Sequence, residues 1–191
     1  MTRIKRLIVV ATVLTLAFSA VALALTGCGS DTGRAKGLTQ DANTRTTNLN
    51  KTTGDLGKQL ATLYSEGNGG ATDKTKFDAT ESKLKALVDQ ISKGIASIQS
   101  DFNQIKKIKD VEKYKEYAEV QLQVLDLTKQ SMDSVTNFLK EVNKIKASGT
   151  FDQNAFAEAF TRLRQELGDQ GNKSAPLLQQ AQKLNEQNKL L

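Results

Sequence analysis

The 191-residue chain has no histidine, no tryptophan, one cysteine and one proline, with only seven Phe and three Tyr. Each absence removes a class of chemistry. A single thiol, Cys28, leaves no partner for a disulfide within the chain. Without histidine there is no imidazole zinc site and no nucleophilic mechanism built on a His base. The lone proline, Pro176, points away from an all-β sandwich and towards long helices. Nothing in the composition implies a cofactor or an enzyme.

What is present begins with charge. Lys and Arg number 27 against 21 Asp and Glu, a formal balance of +6. Three of those cations, Arg3, Lys5 and Arg6, precede an apolar run from Leu7 to Leu25 that only Thr12, Thr15 and Ser19 interrupt. The order basic, apolar, small-residue site is the plan of a secretory signal peptide. The run exceeds the usual apolar stretch of about 7–15 residues. It also reaches the roughly 17–25 residues of a transmembrane helix.

Leu25-Thr26-Gly27-Cys28 closes the run. These four residues resemble the lipobox of bacterial prolipoproteins, which reads aliphatic, small, small, Cys. The resemblance covers residues 1–28 only. It implies a diacylglyceryl group on the Cys28 thiol and cleavage between Gly27 and Cys28, leaving Cys28 as the new N-terminus. One acyl chain anchors marginally, at about 0.8 kcal/mol per buried CH₂, so two chains give stable attachment. The expected location is extracytoplasmic, on the outer face of a bacterial cell membrane or facing a periplasm. Loss of residues 1–27 lowers the cations from 27 to 24 and the balance from +6 to +3. That excess is too small for nucleic-acid binding, which normally shows a clustered basic footprint.

After the cysteine, residues 28–38 hold several glycines and read as a flexible tether, with a helical domain over 39–191. Leu49, Leu56, Leu60 and Leu63 mark one helix face, ended by Gly67-Asn68-Gly69-Gly70. That glycine run lacks the preceding strand and the Gly-Lys-Ser/Thr ending of a phosphate loop. Leu84, Val88, Ile91, Ile95, Ile98, Phe102 and Ile105 step by fours and threes as an a/d seam, which Phe77 extends, with Thr72 or Asp73 as N-cap. A third helix, from Tyr114 to Ile145, has an apolar face wide enough to touch two neighbours. A turn at about 108–110, with Asp110 capping the third helix, is preferred over one continuous helix through Lys106. Thr150-Phe151-Asp152-Gln153 fits a capping box for a fourth helix, whose seam includes Phe156, Phe160, Leu163, Leu167, Leu184 and Leu191. The expected fold is all-α: an elongated, up-down antiparallel bundle of four helices, the last kinked near Pro176.

Few side chains suggest a site. Lys106, Lys107, Lys109, Lys113 and Lys115 form a basic cluster, a candidate contact for anionic lipid or wall polymer, although Glu112 and Glu116 dilute its charge and favour an ordinary solvated helix end. Glu112, Glu116 and Glu119 share a helix face, but interleaved lysines argue for solvation over metal or acid–base work. Gln121, Thr128, Gln170, Ser174 and Asn188 fall near seam positions, where polar residues fix register or line a small cavity. Tyr114 and Tyr117 read as amphipathic core-edge residues. The expectation is a non-enzymatic envelope scaffold or accessory factor, held by its lipid and binding an envelope protein or an anionic wall or lipid partner. A ligand-binding or sensory bundle is the alternative.

Overall fold

A computed structural model describes residues 30–190; the basic and apolar segment, the lipobox with Cys28, and the seam residue Leu191 lie outside them. Four helices follow in order: α1 (Ser30–Asn68), α2 (Lys74–Ile105), α3 (Glu112–Ala147) and α4 (Gln153–Asn188). No strand occurs among the described residues. At 1.5 Å per residue, the 39 residues of α1 extend roughly 58 Å.

The up-down arrangement can be read from contacts along the helices. Arg45 Nη1 of α1 meets Asp101 Oδ2 of α2 at 3.1 Å, and Lys76 Nζ lies 3.9 Å from Glu66 Oε1 nearer the opposite end. Gln99 Nε2 donates to Asp126 Oδ1 at 2.8 Å, while Lys146 Nζ donates to Glu81 Oε2 at 2.7 Å, so α2 and α3 are antiparallel. Arg162 reaches Glu141 across α3 and α4 at 2.8 Å. Gln153 Nε2 donates to the Asn68 carbonyl, closing α4 against α1. The wide face of α3 packs on α2 and α4, and it also touches α1.

The leucine, isoleucine and phenylalanine seams form one continuous core. Leu49, Leu56, Leu60, Leu63, Leu84, Ile91, Ile95, Ile98, Phe102 and Ile105 are buried, while Val88 is partly exposed. Asp73 caps α2 by accepting from the Lys76 N–H at 3.0 Å. On α4, Phe156, Phe160, Leu163, Leu167 and Leu184 are buried.

Three local expectations change. The stretch read as a tether is helical from Ser30, so α1 starts about nine residues earlier than Thr39. Its inner face there is made of small and hydroxyl residues: Ala35, Thr39, Ala42 and Thr46 are buried. Thr39 Oγ1 donates to Ala35 O and Thr46 Oγ1 to Ala42 O, both at 2.8 Å, which lets a hydroxyl sit in a core at little cost. Asp110 does not cap α3. It adopts a left-handed conformation (φ 54), tolerable for aspartate, and Val111 occupies the N-cap position without a side-chain bond. Buried Ile108 and Val111 hold this turn to the core. Asp152, rather than Thr150, caps α4, accepting from Asn154 N and Ala155 N. Helix α4 continues through Gly168, Gly171 and Pro176. Proline has no N–H, so the Asn172 carbonyl receives no helical bond at that point.

Candidate functional site

The basic cluster lies at the turn between α2 and α3. Lys106, Lys107, Lys109 and Lys113 are exposed and Lys115 is half-buried. Lys106 faces Glu119 at 3.5 Å and Lys115 bonds Glu112 at 2.6 Å. No carboxylate pairs with Lys107, Lys109 or Lys113 within the described residues. Glu112, Glu116 and Glu119 are all exposed, and two of them serve those lysine pairs, so they do not converge on a common centre. The antiparallel order brings this turn, the first turns of α1 and the C-terminus of α4 to one end of the bundle. Ala35, Ile108, Val111 and Leu190 join the same core there.

The polar seam residues do not gather into one site. Thr128 Oγ1 donates to Val124 O, Ser174 Oγ to Gly171 O and Asn188 Nδ2 to Leu184 O, each within its own helix. Gln121 is buried beside Tyr117, and Tyr117 Oη donates to Asn43 Oδ1 at 3.1 Å. Burial raises the Tyr117 pKa above 10.0, so the phenol stays neutral. Asn43 was not anticipated as a partner. Its signal is present in the chain: Thr39, Asn43, Thr46, Asn50 and Thr53 step by 4, 3, 4 and 3, a heptad written in polar residues. Tyr114 is half-buried, as a core-edge residue should be.

A second charged cluster, unforeseen from the sequence, joins α2 to α3 near the opposite end. Lys146 contacts Asp78 and Glu81, and Lys85 contacts Glu81 at 2.5 Å. The Glu81 side chain is only 3% exposed. Burial pushes its pKa up, but the bonds from Lys146 and Lys85 prevail and hold it below 4.5. The Lys146 ammonium also lies 5.8 Å from the centre of the Phe77 ring. These carboxylates are tied to lysines and serve as a clamp between helices.

Among the described residues, no group of three or more His, Cys, Asp or Glu is placed to hold a metal ion, and no helix is long and apolar enough to cross a membrane. The arrangement defines a four-helix antiparallel bundle with a basic turn at one end and an ion clamp near the other. Comparison with protein-family models, with curated proteins and with solved structures finds no match.

Proposed function

We propose that this protein is a lipid-anchored, extracytoplasmic component of a bacterial envelope, which acts without catalysis by presenting its bundle to an envelope partner. One observation carries the reading: Leu25-Thr26-Gly27-Cys28 closes an apolar run two residues before α1 begins at Ser30. A diacylglyceryl group on Cys28 supplies the two chains that stable attachment requires. The polar side chains support a scaffold role, since Glu81, Asp101, Lys146 and Arg45 bind one another across helices. Metabolic labelling with radioactive palmitate tests the anchor. The wild-type chain takes up label, Cys28→Ala takes up none, and globomycin accumulates an unprocessed precursor. Equal labelling of the Cys28→Ala variant, or a mass indifferent to globomycin, overturns the reading.

A second reading has its own observation. Asn43 Nδ2 is buried and has no hydrogen-bond partner within the described residues, beside buried Gln121 and Tyr117. A small polar ligand held between α1 and α3 would satisfy it and would raise the melting temperature. A thermal-shift screen that finds no stabilising compound removes this reading.

A further inference from the structure

The fold sorts charge in a way the linear sequence conceals. The end of the bundle bearing Ser30 comprises residues 30–38 of α1, residues 105–119 around the α2–α3 turn, and residues 183–190 of α4. Those segments carry nine Lys and Arg against six Asp and Glu. From Cys28 onward the chain has 24 Lys and Arg and 21 Asp and Glu, so everything else holds fifteen of each sign. The entire positive excess after Cys28 therefore sits at this one end, and the rest of the bundle is neutral.

We infer that this basic end is a contact face for anionic phospholipid headgroups of the membrane that carries the Cys28 anchor. The inference rests on the lipid-anchor reading. Two placements support it. Cys28 lies two residues before Ser30, so an anchor there holds this end, and not the other, against the bilayer. With α1 helical from Ser30, no long tether separates the bundle from the headgroups. Arg34, Lys107, Lys109, Lys113 and Lys189 are exposed at this end, outside any ion pair formed by the described residues. Basic residues beside a membrane anchor add electrostatic attraction to the hydrophobic attachment. The bundle then stands with α1 directed away from the bilayer, and its opposite end, with Phe151 and the Gly67–Gly70 turn, faces outward.

Lysine acetylation by a membrane-impermeant reagent reads this arrangement in the mature protein reconstituted with vesicles. On phosphatidylglycerol vesicles, Lys107, Lys109 and Lys113 should react at least about threefold more slowly than on phosphatidylcholine vesicles. Lys74, Lys93 and Lys129, exposed elsewhere, should react equally on both. Molar salt, which shortens the screening length from about 10 Å to about 3 Å, should abolish the difference. Flotation separates the two readings. Protein that floats with both vesicle types but shows no selective protection keeps the anchor and overturns the basic face. Protein that floats with phosphatidylglycerol alone supports the face and overturns the anchor, whereas floating with neither overturns both. Protection by soluble polyglycerol phosphate and not by vesicles assigns the lysines to a wall polymer and overturns the membrane contact.

Discussion

At Gly67 the absence of a side chain is a packing requirement. A Cβ there would lie 2.2 Å from Phe156 Cε1. The Phe156 ring cannot easily withdraw, because four aromatic rings crowd its centroid: Phe151 at 5.5 Å, Phe138 at 5.9 Å, Phe77 at 6.1 Å and Phe160 at 6.4 Å. Gly54, in the same helix, has nothing within 4 Å of its added Cβ. Two substitutions of the same chemistry should therefore have opposite signs. Gly54→Ala should stabilise by about 0.5–1 kcal/mol, the helix-propensity gain. Gly67→Ala has the same local gain but forces overpacking worth roughly 1–3 kcal/mol, so it should destabilise. Urea titration of both variants checks this, and equal signs would refute it. In the sequence Gly54 weakens α1 and Gly67 opens the glycine run that ends it. Only the path of α4 gives Gly67 its packing role.

Between elements, the clamp of Glu81, Lys146, Lys85 and Asp78 fixes α2 against α3. Its dependence on pH follows from the two main partners. The pKa of Glu81 is lowered from 4.5, so its contribution is full above that value and is lost as pH falls through the lowered one. The Lys146 pKa is raised: burial lowers it, but bonds to Asp78 and Glu81 outweigh that. Its contribution is full below 10.5 and is lost as pH rises through the raised value. Asp101 has the opposite sign to Glu81. Burial raises its pKa above 3.8 despite Arg45, so ionised Asp101 works against stability at neutral pH and is relieved on acidification. Lys146→Met should cost about 1.5–3 kcal/mol at pH 7, because Glu81 keeps only Lys85. The cost should shrink as acid protonates Glu81, and Glu81→Leu in the same chain should recover part of it. Additive losses, or a cost independent of pH, would sink this account. The heptads of α2 and the leucines of α1 were legible because apolar periodicity reports burial directly. The clamp was not, since Glu81 and Lys146 stand 65 residues apart and each resembles ordinary surface charge. The first turns of α1 were misread for a related reason. Ala35 and Thr39 bury themselves by being small, which leaves little hydropathy to detect.

Over the whole molecule, the core is graded along its length. The end formed by the α1–α2 and α3–α4 turns contains Tyr64, Phe77, Phe138, Phe151, Phe156 and Phe160 in mutual ring contact. Towards the other end, α1 contributes Ala35, Thr39, Ala42, Asn43 and Thr46 to the interior. Helix α4 has no buried residue between Leu167 and Ala181, and Pro176 removes one of its hydrogen bonds there. Large aromatic side chains bury far more apolar surface than alanine or threonine, and apolar burial is the dominant stabilising term. Local opening should therefore begin at the basic end and in the middle of α4. Hydrogen exchange resolved by residue checks it. Amides of residues 35–46 and 170–178 should exchange at least about tenfold faster than those of 58–64 and 156–163, a difference of about 1.4 kcal/mol in opening free energy. Protection that is uniform along α1 and α4, or greatest at the Ser30 end, would contradict the gradient. Anionic vesicles supply a second arm: if headgroups hold the basic end, protection of residues 35–46 should rise on phosphatidylglycerol while the aromatic end stays unchanged, since a ligand stabilises only the openings that release it.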